Sequence, residues 1–109
     1  GPRFKVKLQG GRLSVKGKPG QGGWRPVPSA GIVLRIKDAA GPPVSIRLRA
    51  RSGRFDATVN ATPWGRVFIK GRDVGTTPAA SIPLSEGSQL MLIQGPQGGQ
   101  TKFVLELAR

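Results

Sequence analysis

Apolar and polar side chains alternate in several short stretches of the chain. Residues 4–8, 34–37 and 44–51 each place aliphatic or phenylalanine side chains at every second position, with mostly lysine or arginine between them. One apolar and one polar face is typical of a half-buried antiparallel strand. Residues 90–93, Leu-Met-Leu-Ile, are apolar on both faces, which predicts a central strand that is covered on both sides.

Glycine and proline separate these stretches. Of 109 residues, 17 are glycine and 10 are proline, whereas aromatic residues make up only 6%. This composition favours short strands and many turns over long helices. We therefore expect an all-β fold, a small antiparallel β-sandwich of about eight short strands. Residues 17–30 form one long loop around Trp24, and such loops are usually either functional or mobile.

The two halves of the chain resemble each other. Residues 11–18, GRLSVKGK, match residues 65–72, GRVFIKGR, at four identical and three conservative positions. Further parallels follow in the same order: 4–8 with 55–59, 31–36 with 87–93, and 44–51 with 102–109. The pattern predicts two related four-stranded halves, residues 3–54 and 55–109, which share one core or pack end to end. Gly1-Pro2 resembles the remnant of a cleaved fusion tag, so we expect an excised domain.

The side-chain inventory argues against an enzyme. The chain has no cysteine and no histidine, which excludes disulfides, thiolate zinc sites and Ser-His-Asp triads. Five scattered acidic residues show no spacing typical of a carboxylate pair or a hard-metal site. We therefore expect no catalytic residue, no metal and no cofactor. No apolar run approaches the ~18 residues that a membrane-spanning helix requires.

Positive charge is concentrated in the first half. Residues 1–54 carry thirteen of the eighteen lysines and arginines and one acid, a net +12, whereas residues 55–109 carry a net +1. If the alternating strands belong to one sheet, its outer face is an array of cations that repel one another. An anionic partner would offset this repulsion, and a solvated basic face is the alternative.

The candidate anion- or partner-binding residues are those of this array together with the loop tryptophan and its neighbour: Lys5, Lys7, Arg35, Lys37, Arg47, Arg49, Arg51, Trp24 and Arg25. An anionic envelope polymer, an acidic protein and the anionic membrane surface all fit such an array. Single-stranded nucleic acid fits less well, because its binding sites usually interleave cations with aromatic side chains. Trp24 could instead pack back onto the sandwich.

Residues 55–108 resemble the PEGA domain family, named for a Pro-Glu-Gly-Ala stretch. Pro63-Trp64-Gly65-Arg66 matches that stretch at proline and glycine, and Val67-Phe68-Ile69-Lys70-Gly71 is followed by the G-x-T-P element of residues 75–78. The first half resembles the family only through its likeness to the second half. The residues that carry the resemblance are expected to be structural: Pro63, Gly65, Gly71, Gly75, Thr77 and Pro78.

The resemblance implies a non-catalytic accessory module of bacterial envelope proteins, outside the membrane and often linked to serine/threonine kinases. The first hypothesis is therefore a binding or sensing module whose basic half binds an anionic partner. The alternatives are a cytoplasmic nucleic-acid-binding module and a structural module that assembles through strand edges. The sequence does not decide the oligomeric state.

Overall fold

A computed structural model of the chain describes residues 1–15, 17–19 and 22–109. These residues contain no helix and form twelve strands. The strands of the first half are β1 (Arg3–Leu8), β2 (Arg12–Val15), β3 (Lys18–Pro19), β4 (Arg25–Pro26), β5 (Ile32–Lys37) and β6 (Val44–Arg51). Those of the second half are β7 (Arg54–Ala61), β8 (Arg66–Ile69), β9 (Arg72–Thr76), β10 (Ala79–Leu84), β11 (Gly87–Gln94) and β12 (Gln100–Ala108).

The strands form two antiparallel sheets that pack face to face. Sheet A has the order β4-β1-β12-β11-β8-β9, and sheet B has the order β10-β7-β6-β5-β2-β3. Their inner faces enclose one hydrophobic core, in which Leu34, Ile46, Met91 and Leu105 are fully buried. The predicted all-β sandwich is confirmed. Each half has six strands instead of the expected four, because β3 and β4, and likewise β9 and β10, form where the sequence suggested only connections.

The two sheets are related by a pseudo-twofold axis that exchanges the halves of the chain. When six is added to every strand number of sheet A, counting on from β12 to β1, the result is the strand order of sheet B. Each sheet therefore contains strands of both halves: β1 pairs with β12 in sheet A, and β6 pairs with β7 in sheet B. Residues 3–54 and 55–109 thus share the core instead of each enclosing its own.

The register corrects one of the internal parallels. Val44 pairs with Ile36, and Thr101 pairs with Ile93. Since Ile36 and Ile93 occupy equivalent positions, Val44 corresponds to Thr101 and not to Lys102. The sequence alignment of residues 44–51 was therefore wrong by one residue, a shift that exchanges the inner and outer faces of a strand.

Strand β11 differs from its prediction on one face. It lies inside sheet A between β12 and β8, as a central strand should, and Met91 and Ile93 are fully buried. On the outer face, however, Leu92 is half-buried and Leu90 is 49% exposed. The prediction of cover on both sides is wrong, because the described residues form only two layers.

The long loop of residues 17–30 is partly described. Lys16, which the internal repeat includes, and Gly20 and Gln21 lie outside the described residues. Trp24 is 44% exposed, and the Arg3 guanidinium carbon lies 5.2 Å from the centroid of its ring. The tryptophan therefore stacks with a cation at the edge of sheet A.

Two of the residues that carry the family resemblance, Gly65 and Thr77, join the β7–β8 and β9–β10 connections by hydrogen bonds. The Gly65 N–H donates to Thr77 Oγ1 at 2.9 Å, and the Thr77 N–H donates to the Gly65 carbonyl at 2.8 Å. A Cβ atom on Gly65 would overlap the Ile93 side chain. The remaining motif residues lie next to this junction or in the β8–β9 hairpin: Pro63 and Pro78 follow cis peptide bonds, Gly71 has φ +77 in the hairpin turn, and Gly75 has φ +105 beside a bulge.

Candidate anion-binding face

The outer face of sheet B is strongly cationic. In β5, for example, Leu34 and Ile36 are fully buried, so the alternating Arg35 and Lys37 point outward. The same alternation applies to β2, β6 and β7. We call the resulting surface the basic face; its cations are Arg12, Arg35, Lys37, Arg47, Arg49, Arg51 and Arg54.

Strand pairing brings these cations close together. Arg12 lies directly opposite Lys37. Arg51 lies directly opposite Arg54 in the β6–β7 hairpin. Such cross-strand neighbours have Cβ atoms about 4.5–5.5 Å apart, and like charges at this distance destabilise a sheet. The basic face is therefore under electrostatic repulsion when nothing is bound.

One carboxylate of the described residues, that of Asp56, lies on the basic face, and it is already paired with an arginine. Asp56 is directly opposite Arg49, with Asp56 Oδ1 3.5 Å from Arg49 Nε. Both atoms are buried and make no other polar contact. The two side chains therefore form a partly buried ion pair. Arg49 therefore serves to hold Asp56 more than to present a free charge.

The other acids of the described residues are used elsewhere. Their partners are as follows: Glu106 with Lys7 at 3.1 Å, Asp73 with Arg66 at 2.6 Å, Glu86 with Arg109 at 3.6 Å, and Asp38 with the Ala40 N–H at 3.0 Å. Hydrogen bonding by Lys7 lowers the pKa of Glu106 below its usual value, and hydrogen bonding by Arg66 does the same for the pKa of Asp73. Across the described ranges, no carboxylate comes within 4.0 Å of the basic-face cations other than Arg49.

Four predicted candidates do not belong to the basic face. Lys5 and Lys7 point outward from sheet A, because β1 pairs with β12 instead of with β2 or β5. Trp24 precedes β4, the edge strand of sheet A, and Arg25 begins that strand. The expectation that Lys5 and Lys7 join the cation array of residues 35–51 is wrong, and Trp24 and Arg25, expected in a loop apart from that array, lie at the edge of the other sheet.

The remaining candidates lie together, and two further arginines join them. Arg35, Lys37, Arg47, Arg49 and Arg51 share the outer face of sheet B as expected. Sequence reasoning missed Arg12 and Arg54. Each alternates with a buried neighbour, Leu13 and Phe55, and that alternation was the signal that could have assigned them to the face.

The chemistry of the face suits an extended anion. Arginine presents a planar fork of donors that can bind phosphate, sulfate or carboxylate in a bidentate manner. The uncharged outward neighbours are small or polar, namely Ser14, Val33, Ser45, Thr58 and Asn60. No group of three or more potential metal ligands occurs in the part of the chain that the structure describes. Among the same residues, no helix is long and apolar enough to span a membrane.

The fold and the face together define a β-sandwich with one strongly basic surface. No protein-family model matches the chain, and neither a curated protein nor a solved structure matches it. The function is therefore argued from the geometry and charge of the face itself.

Proposed function

We propose that the chain is a non-catalytic binding module of a larger bacterial envelope or kinase-linked protein, and that its basic face binds an anionic polymer or an acidic partner outside the cytoplasmic membrane. The setting follows from the resemblance to the PEGA family. One observation carries the binding: the cations of the basic face other than Arg49 share one surface without carboxylate partners among the described residues.

The pseudo-twofold axis shows which cations of the basic face the fold does not require. Arg12 and Arg54 correspond to arginines in sheet A, Arg66 and Arg3, but the two cations at the centre of the face have uncharged equivalents. The position of Arg35 in sheet B corresponds to that of Leu92 in sheet A, and the position of Arg47 corresponds to that of Val104. The same scaffold thus accepts aliphatic side chains at these sites. Arginines that the fold does not need, and that repel one another, are explained by a ligand that neutralises them.

The spacing of the cations favours an extended ligand over a small one. Arg47, Arg49 and Arg51 follow one another at every second residue of β6, so their Cα atoms are spaced by about 6.6–6.8 Å. Cations on β2, β5 and β7 flank this row. A polymer with repeated phosphate, sulfate or carboxylate groups can contact several of these positions at once.

Two alternatives are less well supported. No aromatic side chain of the described residues lies on the basic face, which disfavours single-stranded nucleic acid and leaves backbone contacts to a duplex. The exposed strand edges are also poor sites for assembly. Proline lies in the edge strands β4 and β10 at Pro26 and Pro83, bulges interrupt β10 and the edge strand β9, and the edge strand β3 has only two residues.

The experiment compares two double variants with the same net charge. Arg35→Glu/Arg47→Glu reverses two free cations of the basic face, whereas Arg3→Glu/Arg72→Glu reverses two exposed cations on the edge regions of sheet A. Each reversal lowers the net charge by two, so both variants go from +13 to +9. Arg49 is left unchanged, because a glutamate there would face Asp56 in a half-buried position.

Binding is measured by titration calorimetry at ~50 mM salt, where phosphate contacts are strong. The probes are a teichoic-acid-type polyol phosphate, polyglutamate and duplex DNA. We expect the basic-face variant to lose about tenfold or more in affinity for the first two probes, and the control to lose much less. An equal loss in both variants would refute the proposal, and so would the absence of binding to all three probes. Tight binding to duplex DNA alone would favour the nucleic-acid alternative.

A further inference from the structure

The outer face of sheet A carries a cluster of exposed apolar side chains. In the sheet, Leu90 lies opposite Val104, and Leu92 lies opposite Phe68. Leu90 is 49% exposed, and the other three are half-buried. Together these four residues, on three adjacent strands, form what we call the apolar block. A shallow depression of about 240 Å³ opens between Phe68, Leu90 and Leu92.

Lysines surround the apolar block on the flanks. Lys7 of β1 lies opposite Val104, and Lys102 lies opposite Leu92. On the other flank, the Lys70 N–H donates to the Leu90 carbonyl at 3.0 Å, which places this residue beside Leu90. The nearby Asp73 is bound by Arg66 and its charge is neutralised. Lys7 is itself paired with Glu106 at 3.1 Å, whereas Lys70 and Lys102 have no carboxylate within 4.0 Å among the described residues. The block therefore presents an apolar centre flanked by two unpaired lysines.

The pseudo-twofold axis shows that this apolar character is not required by the sandwich. The positions of Leu92, Val104 and Phe68 correspond to those of Arg35, Arg47 and Ser14 in sheet B. Leu90 corresponds to Val33, so three of the four equivalent positions are polar or charged and one is aliphatic. Aliphatic and aromatic side chains on a solvent-exposed sheet face point to contact with another molecule.

We propose that the apolar block docks one amphipathic helix of a partner protein, and that this helix carries acidic residues on both sides of its apolar stripe. The block spans three strands, or about 10 Å, which matches the 10–12 Å diameter of a helix. Carboxylates beside the stripe would meet Lys70 and Lys102, which lie on the two flanks of the block. A helix on a sheet face is also the usual way in which a third layer covers such a surface.

A second copy of the chain fits less well. Pairing two blocks across a twofold axis would bring the flanking lysines together on chains that each carry a net charge of +13. A block of four side chains is also small beside the ~800 Å² per partner of a stable interface. An acidic helix meets neither difficulty. Its charge is complementary to that of the lysines, and one helix needs only a narrow surface.

The test uses a synthetic helical peptide with leucines at positions i, i+3, i+4 and i+7 and glutamates beside them. It is titrated into the Arg35→Glu/Arg47→Glu protein, so that the basic face does not compete for the glutamates. We expect changes in the NMR amide resonances around Phe68, Leu90, Leu92 and Val104. Leu90→Lys should weaken binding about tenfold or more. The matched control Val33→Lys, at the equivalent position of sheet B, should leave the affinity unchanged.

Several results would overturn the proposal. A peptide with serine in place of leucine that binds equally well would show that charge alone is responsible. Leu90-dependent dimerisation in sedimentation experiments, or Leu90-dependent binding to vesicles of anionic lipid without peptide binding, would assign the block to a second copy or to a membrane. Because Leu90 is half exposed, its variants should fold; thermal unfolding checks this, and Leu90→Ser serves if the lysine variant is unstable.

Discussion

Replacing Arg35 with glutamate should stabilise the protein while it weakens binding. Three cations lie close to Arg35 on the basic face: Lys37, two residues along β5, and, diagonally across, Arg47 on β6 and Arg12 on β2. All three are about 7 Å away by strand geometry. At this distance two unit charges in water interact by about 0.6 kcal/mol. The reversal turns three repulsions into three attractions, a change of about 3.6 kcal/mol before screening.

Screening reduces this gain to a measurable and salt-dependent value. At physiological ionic strength the Debye length of about 8 Å leaves roughly 1.5 kcal/mol, or about 0.5 kcal/mol for each neighbour, in line with the strength of exposed ion pairs. For a domain of this size, that raises the melting temperature by about 6 °C. At 1 M salt, where the Debye length is about 3 Å, the gain should nearly vanish.

The assay is urea or thermal unfolding followed by circular dichroism at ~0.05, 0.15 and 1 M salt. Arg72→Glu, on the far edge strand β9 of sheet A, controls for the general effect of net charge. An unchanged or lower stability of Arg35→Glu at low salt would refute the repulsion argument. A gain that persists at 1 M salt would refute its electrostatic origin.

Two further predictions concern the scaffold. Gly41→Ala should lower the free energy of unfolding by about 3 kcal/mol, because its Cβ would overlap the backbone of Gln100. The control Gly10→Ala, whose Cβ meets nothing within 4 Å, should change the free energy of unfolding by less than about 0.5 kcal/mol. Equal effects of the two variants in chemical denaturation would contradict the close approach at Gly41. Since the pKa of Glu106 is lowered by Lys7, this pair stabilises the fold above the unfolded pKa of about 4.3 and loses its effect as the pH falls through the folded pKa. Melting temperatures of wild type and Glu106→Gln should therefore differ at pH 7 and converge near pH 2, and parallel curves would exclude this linkage.

The alternating sequence pattern predicted which way side chains point but not which sheet they belong to. Arg35 and Arg47 face outward as expected, because their strand neighbours are aliphatic and enter the core. Lys5 and Lys7 also face outward, but on the opposite side of the sandwich. A period of two defines the faces of one strand, whereas the neighbour of β1 is β12, at the other end of the chain. Local patterns carry no information about such distant pairing.

The uncovered face of β11 has a related cause. A run such as residues 90–93 shows that both faces of a strand are apolar, but it does not show what covers them. Met91 and Ile93 are covered by sheet B, whereas Leu90 and Leu92 have no cover within the described residues. The prediction of cover on both faces therefore went beyond what the pattern itself indicates.

The pseudo-twofold axis allows scaffold and function to be separated position by position. Arg49 in sheet B corresponds to Glu106 in sheet A, and their opposite neighbours Asp56 and Lys5 correspond as well, so the two sheets place oppositely charged residues across from each other with the signs exchanged. Both sheets thus keep a pair of opposite charges at this position, although the acidic and basic members are exchanged. This is expected if the pair stabilises the scaffold. At the neighbouring positions, arginine in one sheet is replaced by an aliphatic residue in the other, and no common structural requirement explains both.

The two proposed surfaces therefore lie where the halves differ, on opposite sides of a sandwich whose sheets are about 10 Å apart. A ligand on the basic face and a helix on the apolar block would not overlap. If both proposals hold, the module would bind a charged surface and a partner protein at the same time, because each contact can form while the other is occupied.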